Sequence, residues 1–394
     1  MASAALSVGA ERRHARPARG RVRPLSAPFD AAAWDALAAD AAEPNVFAER
    51  WFLEASRHLP QAREARIVEA WDGDRLVAAL PLCTRSHYGR LPLPHAETWL
   101  HYHAFGGAPL LAGDDPVAAA GALLDAIDDD PAARGLLHLT GISEHGPAHR
   151  ALSAAAALRG RRCDTVHRIE RALLASDLAP DAYFAAAVRK KKRKELKRLE
   201  ARLAEQGALA AGWCGANDDL DQWIDDYLTL EAAGWKGREG SALAAATATT
   251  AFFRDAARGA HAAGLLDMVR LTLDGRPIAI LVNLLRAPGG FAFKTAFDES
   301  LARFSPGVLL QIANLRLLER ADLAWVDSCA VEDHSMINSL WRERRGIVRL
   351  SLPLGGAGNA AVFALVRKAE DAAAAVRRLR RPAAATSAET CDDD

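Results

Sequence analysis

The sequence predicts a mixed α/β protein, of the α+β type, made of two similar units. The chain has 394 residues, which is long for one domain and suits two. An Asp-Gly pair stands between strand-like segments twice, at 72–73 and at 274–275, and this pattern is typical of β-hairpins. Each hairpin is followed by helical and strand-like segments, so we expect two copies of one α/β fold.

The first unit is expected to span residues 25–175. Its hairpin is predicted because two runs rich in Val, Ile, Leu and Ala flank the first Asp-Gly turn. Helical spacing of apolar residues and short apolar runs predict the other elements. In chain order these are helices 30–42 and 49–58, hairpin strands 66–71 and 75–83, a strand and loop at 101–111, helix 116–128, strand 135–140, helix 147–159 and strand 168–174.

The second unit is expected to span residues 176–355. It opens on a long predicted helix, 180–206, which Gly207 ends. The further elements are strand 208–214, helices 220–233 and 241–258, hairpin strands 265–273 and 276–285, strand 291–297, a helix from Ser305, strand 324–328, helix 335–342 and strand 347–352. Residues 1–24 are expected to be a disordered basic arm, and 356–394 a helix at 362–381 with a disordered polar tail.

Composition narrows the class of protein. The formal net charge is zero, which argues against a protein that binds nucleic acid over its whole surface. Apolar runs are too short to span a membrane, and the N-terminal pattern is the reverse of a secretory signal, so we expect a cytoplasmic protein. The five cysteines are scattered, and neither a disulfide framework nor a metal site is predicted.

The segment 291–319 is the most informative part of the sequence for function. The aromatic-rich, alternating residues of 291–297 predict a strand. Phe291, Phe293 and Thr295 would lie on one side of it and Lys294 on the other. A helix is predicted to follow, because serine is favoured at the N-cap and proline at the first helical position, as at Ser305 and Pro306. Backbone N–H groups at the start of such a helix are suited to a phosphate, with Arg303 adding charge. The alternative is an ordinary capped helix with a surface arginine.

Four segments resemble the CelD-like acetyltransferases, a branch of the GNAT superfamily that is associated by name with cellulose or exopolysaccharide biosynthesis and is akin to the FemAB aminoacyltransferases. They are RKKKRKELKRLEARLAEQG (189–207), LEAAGWKGREGSAL (230–243), AFDESLARFSPGVLL (296–310) and DSCAVEDHSMINSLW (327–341).

This resemblance implies two tandem GNAT-like acyltransferase domains, each a mixed, mostly antiparallel sheet flanked by helices. It implies acyl-CoA as co-substrate, with no permanently bound cofactor. The donor would be held in the second domain by Arg303, Phe304, Ser305, Gly307, Val308 and Leu309.

Acyl transfer to an amine needs a group that accepts the amine proton. Asp298, just past the strand, and His334 are the candidate catalytic residues. The alternative is that their side chains cap a local turn or helix. Glu299 is expected to cap a turn or lie in solvent. Cys329 is expected to be packing rather than a nucleophile. His101 and His103 are expected at most to line the cleft.

Four residues are candidates for binding the acceptor substrate. Trp235, Lys236 and Arg238 form an aromatic-basic turn suited to a sugar, a nucleotide or a carboxylate. The alternative places the tryptophan against the core and the cations in solvent. Lys294, a charge inside an aromatic strand, would line a cleft and bind an anionic group, or reach solvent on an exposed face.

The run 189–198 holds eight basic residues, and Val188, Leu196, Leu199 and Leu203 form its apolar stripe. Such a helix suits an anionic partner, namely tRNA, acyl-carrier protein or lipid headgroups, or is a solvated helix balanced by its glutamates. We expect an N-acyltransferase that moves an acyl group to a small-molecule or glycan amine. The alternatives are a non-catalytic partner in polysaccharide assembly, a transferase whose donor is aminoacyl-tRNA or acyl-carrier protein, and an RNA-associated protein.

Overall fold

A computed structural model describes residues 19–89 and 91–380, and the predictions for 1–18 and for the tail after 380 lie outside these ranges. The strands are β1 (Arg19–Pro24), β2 (Arg66–Asp72), β3 (Arg75–Arg85), β4 (His95–Thr98), β5 (Leu110–Leu111), β6 (Leu136–Ser143), β7 (Asp164–Leu174), β8 (Leu209–Trp213), β9 (Leu266–Leu273), β10 (Arg276–Arg286), β11 (Gly289–Phe297), β12 (Trp325–Asp327) and β13 (Glu343–Pro353).

The α-helices are α1 (Ala31–Ala39), α2 (Arg50–Ser56), α3 (Pro116–Asp128), α4 (Pro147–Leu158), α5 (Pro180–Ala187), α6 (Lys190–Ala204), α7 (Leu220–Ala233), α8 (Trp235–Arg238), α9 (Thr247–Ala262), α10 (Pro306–Ala313), α11 (Ser335–Asn338) and α12 (Ala357–Arg380). Short 3-10 helices lie at Val46–Ala48, Pro60–Glu64, Leu243–Ala245, Glu299–Phe304 and Asn314–Glu319. Within the described part of the chain, no helix is both long and apolar enough to cross a membrane.

The strands form one mixed sheet in the order β1-β2-β3-β4-β6-β13-β7-β12-β11-β10-β9-β8, with β5 paired to β3. Two neighbouring pairs are parallel, β4 with β6 and β11 with β12, and the others are antiparallel. In both halves an antiparallel hairpin leads to a third strand, and a helix then crosses over to the parallel strand. The two halves are therefore copies of one topology.

The last strand of each half pairs with the other half. β13 lies between β6 and β7, and β7 also pairs with β12 through Leu173 and Leu174. The two halves follow one another along the chain, while the sheet interleaves their strands. Packing adds to this connection, because α2 of the first half contacts α9 of the second.

An aromatic cluster joins the halves on one face of the sheet. The ring of Phe47 lies 5.1 Å from that of Phe291, and the ring of Phe52 lies 5.5 Å from that of Phe252. All four side chains are at least nine-tenths buried. Burial of aromatic area on this scale makes the junction a core rather than a mobile contact between domains.

Several predicted boundaries are wrong; the helix expected over 241–258, for example, is α9 over Thr247–Ala262. Residues 19–24 of the expected disordered arm form β1, because the buried guanidinium of Arg23 pairs with the buried carboxylate of Glu69 at 2.6 Å. The expected helix 180–206 is two helices, since Val188 adopts an extended backbone (φ −111°) and is buried. The predicted apolar stripe is confirmed, as Leu196, Leu199 and Leu203 are the buried residues of α6.

Candidate functional site

The parallel strands β11 and β12 separate after a short paired stretch. Their pairing runs from Gly289 opposite Trp325 to Phe291 opposite Asp327, where β12 ends while β11 continues to Phe297. Beyond this point the backbone of Ser328 donates to Ala172 of β7 instead. The result is an opening between β11 and the segment after β12, which we call the β11/β12 opening.

Helix α10 begins beside this opening. A Cβ placed on Gly307 would lie 3.3 Å from the ring of Phe297 and 3.7 Å from Sδ of Met336. The first turn of α10, the end of β11 and helix α11 therefore meet at one place. Gly307, Val308 and Leu309 of the predicted donor site lie in α10, and the predicted base His334 is the N-cap of α11.

The start of α10 differs from a side-chain-capped helix. Ser305 has a left-handed backbone (φ 55°) and its side chain makes no capping hydrogen bond. Instead its carbonyl oxygen accepts from the N–H groups of Val308 (2.9 Å) and Leu309 (3.1 Å). Phe304 is buried, and the exposed guanidinium of Arg303 lies over its ring at 4.7 Å. Arg303 thus offers an exposed cation at this end of α10.

Asp298 and Glu299 cap and pair locally. Asp298 accepts from the N–H and Oγ of Ser300 and pairs with Arg276 at 2.7 Å. Burial alone would raise the pKa of Asp298, but these bonds to Ser300 and Arg276 outweigh it and lower the pKa. Glu299 accepts from the N–H of Trp235 and from Arg238, both at 2.6 Å.

The segment after β12 carries His334 and Cys329. His334 is the N-cap of α11, and its Nδ1 accepts from the N–H of Ile337 at 3.4 Å, which is a long hydrogen bond. Cys329 is buried with a left-handed backbone (φ 53°), and burial raises the pKa of its thiol. A thiol in this state is a poor nucleophile.

A β-bulge places Lys294 on an unexpected face. Val282 of β10 pairs with Lys294 and the next residue, Asn283, pairs with Ala292, so Phe293 is an extra residue in β11. A bulge of this kind shifts the alternation of side chains by one. Lys294 therefore lies on the same face as Phe291 and Phe293, and the predicted opposite orientation is wrong.

Lys294 is enclosed by side chains from both halves. Its Nζ lies 3.1 Å from Nδ1 of His103 and 5.2 to 5.7 Å from the ring centres of Tyr102, Phe105 and Phe293. The residue is 8% exposed. Burial, with a smaller contribution from the charge of Lys236, lowers the pKa of Lys294 to about 8. The charge of Lys294 also lowers the pKa of the Cys329 thiol, an effect that the burial of the thiol outweighs.

The turn after α7 lies close to this lysine. Lys236 pairs at 2.8 Å with Glu231, a buried carboxylate that also accepts from the N–H of Leu243. Trp235 is 47% exposed and lines a small pocket together with Lys236, Glu299, Thr295 and Phe297. The structure thus brings Trp235, Lys236 and Arg238 to the same end of β11 as Lys294.

The first half contains the counterpart of the β11/β12 opening, but there it is closed. β4 and β6 pair as far as Glu97 and His138, after which Oγ1 of Thr98 accepts from the N–H of Thr140. The loop 99–109 then returns between them, and the N–H of Gly107 donates to the carbonyl of Gly141 at 3.0 Å. A Cβ on Gly107 would lie only 2.0 Å from the carbonyl oxygen of Thr140, so backbone fills this gap.

The same loop carries His101, Tyr102, His103 and Phe105 to the second half. From the sequence, the two histidines are expected at most to line a cleft, and neither Tyr102 nor Phe105 is a candidate residue. The dense aromatic and histidine content of 101–105 was the available signal. Its meaning depends on a contact with β11 that local pattern does not reveal.

Comparison with known proteins agrees with this geometry. Residues 190–334 match the model of a family described as acetyltransferase (GNAT) domain, a range that contains α10, β11, β12 and Lys294. No curated protein matches the chain. The chain therefore carries an acyltransferase domain in its second half.

Solved structures resemble most of the chain. The crystal structure of FemX is 9% identical and covers 82% of this chain and 96% of its own, with a TM-score of 0.55. A protein of unknown function from Bacteroides thetaiotaomicron VPI-5482 is 12% identical and covers 83% and 98%, with a TM-score of 0.51. A tandem GNAT protein from the clavulanic acid biosynthesis pathway is 20% identical and covers 86% and 100%, with a TM-score of 0.43. FemX and the Bacteroides protein therefore show that this chain has their fold over most of its length.

Proposed function

We propose that this GNAT-type acyltransferase is an N-acyltransferase that moves an acyl group from acyl-CoA to an amine, and that the reaction takes place at the β11/β12 opening. The observation that carries the proposal is the buried ammonium of Lys294, placed by a bulge beside the point where the two parallel strands separate. This point lies within the range that matches the acetyltransferase domain.

The donor is proposed to lie along the start of α10. The positive end of the helix dipole and the exposed Arg303 favour the phosphates of coenzyme A there. Because Val308 and Leu309 already donate to Ser305, their N–H groups contribute through the dipole rather than as free donors. The acyl thioester would then reach into the opening between Phe297 and the segment after β12.

The reaction forms a C–N bond and breaks the C–S bond of the donor. As the amine adds, negative charge develops on the carbonyl oxygen of the acyl group. A preorganised cation in a water-poor site stabilises such an oxyanion, and we assign this role to Lys294. The proton leaves the amine, and the thiolate of coenzyme A takes up a proton as it departs.

For the base we favour His334 over Asp298. Asp298 has a lowered pKa and is paired with Arg276, so it is a weak proton acceptor. To take a proton on Nδ1, the imidazole of His334 has to break only its long hydrogen bond with the N–H of Ile337. A His334→Gln variant is expected to lose activity while Asp298→Asn keeps most of it.

The acceptor is proposed to bind at Trp235, Lys236 and Arg238. An exposed indole beside cations suits a sugar or a carboxylate-bearing amine. Such acceptors fit a place in polysaccharide or cell-envelope biosynthesis, the association that the CelD-like resemblance carries.

The test is acyl transfer by the purified chain from acetyl-CoA and longer acyl-CoA species to a panel of amino sugars and amino acids. Release of free thiol and the mass of the product report the reaction together. A folded protein that releases no thiol with any of these donors and acceptors would favour the non-catalytic alternative.

A second candidate donor, acyl-carrier protein or aminoacyl-tRNA, is favoured by the position of α6. This helix packs against the 3-10 helix Glu299–Phe304, which carries Arg303, so its cations lie next to the proposed donor site. Lys190, Lys191 and Lys194 are exposed. Replacing all three with Gln should abolish transfer from a macromolecular donor and leave transfer from acyl-CoA unchanged.

A further inference from the structure

We infer that His103, which belongs to the first half, is a positioning residue for the second half's reaction: its Nδ1 holds Nζ of Lys294 as an ammonium beside the β11/β12 opening. The inference rests on the proposed function. It assigns the first half a part in the chemistry, in addition to its part in the fold.

A chain of hydrogen bonds fixes His103 from helix α2. Oγ of Ser56 donates to the carbonyl of Phe52 at 2.7 Å, so it accepts from Nε2 of His101 at 3.0 Å. Nδ1 of His101 then has no proton and accepts from the N–H of His103 at 3.2 Å. The tautomer of His101 and the backbone of His103 are thus set by a helix on the far side of the loop.

The ring of His103 is held as well. It stacks on Phe252 of α9 with ring centres 5.3 Å apart and planes 16° apart. His103 is 6% exposed, and burial followed by the charge of Lys294 lowers its pKa to about 3. A neutral imidazole beside an ammonium accepts through Nδ1 and carries its proton on Nε2.

The bond matters because it is the one hydrogen bond that the side-chain ammonium of Lys294 makes within the described residues. The other N–H groups of the ammonium lie among the rings of Tyr102, Phe105 and Phe293, which attract a cation without consuming its donors. A single acceptor therefore orients the ammonium and leaves it able to donate to a reacting carbonyl oxygen.

Several other titratable groups act on this pair. The charge of Lys236 on α8 lowers the pKa of Lys294, whereas the charges of Glu231 on α7 and of Cys329 after β12 raise it. The charges of His101 and Lys236 lower the pKa of His103. The ring of Tyr102 faces the ammonium of Lys294. None of these groups is hydrogen-bonded to the ammonium of Lys294 in the described structure. Removing Nδ1 of His103 therefore removes the hydrogen bond that favours the charged form of Lys294.

The experiment compares pH–rate profiles of the wild type, His103→Phe and His103→Asn. Phenylalanine keeps the stack on Phe252 and removes the acceptor, whereas the Asn amide oxygen restores one. We expect His103→Phe to lower kcat at least 10-fold, to leave KM for the acyl donor within 2-fold, and to move the alkaline limb to lower pH. His103→Asn should recover most of kcat and the position of the limb. His261→Leu, at an exposed histidine of α9, is the matched control.

If His103→Phe does not fold, His103→Leu takes its place, because leucine is also apolar and smaller. A folded variant without the acceptor whose kcat and alkaline limb equal those of the wild type would overturn the inference. Equal losses in the Phe and Asn variants would do so too, since packing alone would then explain them. A wild type without acyl transfer activity would instead contradict the proposed function.

Discussion

Nζ of Lys294 and Nδ1 of His103 lie 3.1 Å apart, although the two residues are separated by 191 positions in the chain. The contact exists because a bulge turns Lys294 toward the first half and because the loop 99–109 reaches across to meet it. Both halves therefore build the candidate site, in keeping with a sheet that interleaves their strands.

Replacing Lys294 with Met should separate catalysis from stability. Loss of one preorganised charge at the reacting carbonyl should lower kcat by about 10²- to 10³-fold. The free energy of unfolding should stay equal or rise, because Met fills similar space without the cost of a buried charge. Steady-state kinetics and urea unfolding measure the two effects. Lys368→Met, at an exposed lysine of α12, should change neither, and a fully active Lys294→Met enzyme would exclude the proposed role.

The pH dependence of activity and of stability should run in opposite directions. The pKa of Lys294 is lowered to about 8, so activity that needs its ammonium should fall as the pH rises through 8. Lysine in the unfolded chain has a pKa of about 10.4, so between these values the unfolded state binds more protons. Stability linked to this residue should therefore rise with pH from 8 to about 10. The rise should vanish in Lys294→Met, and a rise of the same size in the variant would assign it to another group.

Arg303→Ala should weaken donor binding. A charge-assisted contact to a phosphate contributes about 1.5–3 kcal/mol, so KM for acyl-CoA should increase by about 10- to 100-fold with a smaller change in kcat. The rise in melting temperature that free coenzyme A causes in the wild type should be lost as well. Arg63→Ala removes an exposed arginine of the first half and serves as the control. Equal effects of the two substitutions would place the donor elsewhere.

One donor should bind per chain. In the first half, the gap between β4 and β6 is filled by the loop 99–109, where Gly107 lies against Thr140 and Gly141. Isothermal titration with free coenzyme A should therefore give a stoichiometry of one. Two sites per chain would show that the closed gap opens to bind ligand.

Glu49→Ala should destabilise the junction of the halves. Glu49 is 2% exposed and accepts two hydrogen bonds from Arg286 of β10, at 2.5 and 2.8 Å. Removing the carboxylate leaves a largely buried guanidinium without its partner, at a cost of about 3 kcal/mol. Asp35→Ala, which breaks a more exposed pair with Arg50, should cost less than about 1 kcal/mol. Urea unfolding that shows equal losses would mean that the Glu49 pair contributes no more than a surface pair.

Local signals in the sequence predicted much of the fold. The hairpin of β9 and β10 forms at its Asp-Gly pair, where Asp274 and Gly275 take φ angles of 51° and 78°. Such turns depend on neighbouring residues and can be read from a short window. The resemblance to GNAT proteins predicted an acetyltransferase domain, and the match over 190–334 confirms one in the second half.

The rest depends on long-range pairing. Nothing near residue 350 indicates that β13 inserts between β6 and β7, because pairing partners are chosen by the whole sheet. The bulge at Phe293 has no local signal either, since it is defined by the register with β10. For this reason the sequence could place Lys294 in a strand but could not give its face or its contact with His103.

A single assay of product formation tests most directly whether the chain transfers an acyl group and needs Lys294 to do so. Purified wild-type protein is mixed with acetyl-CoA and the amine panel, and the N-acetylated product is measured by mass spectrometry, with Lys294→Met beside it. We expect a product that depends on the enzyme and falls about 10²-fold or more in the variant, although the variant stays folded. Equal product from both proteins would contradict the assignment of the reaction to the β11/β12 opening. A folded wild type that makes no product from acyl-CoA, acyl-carrier protein or aminoacyl-tRNA donors would contradict the acyltransferase itself.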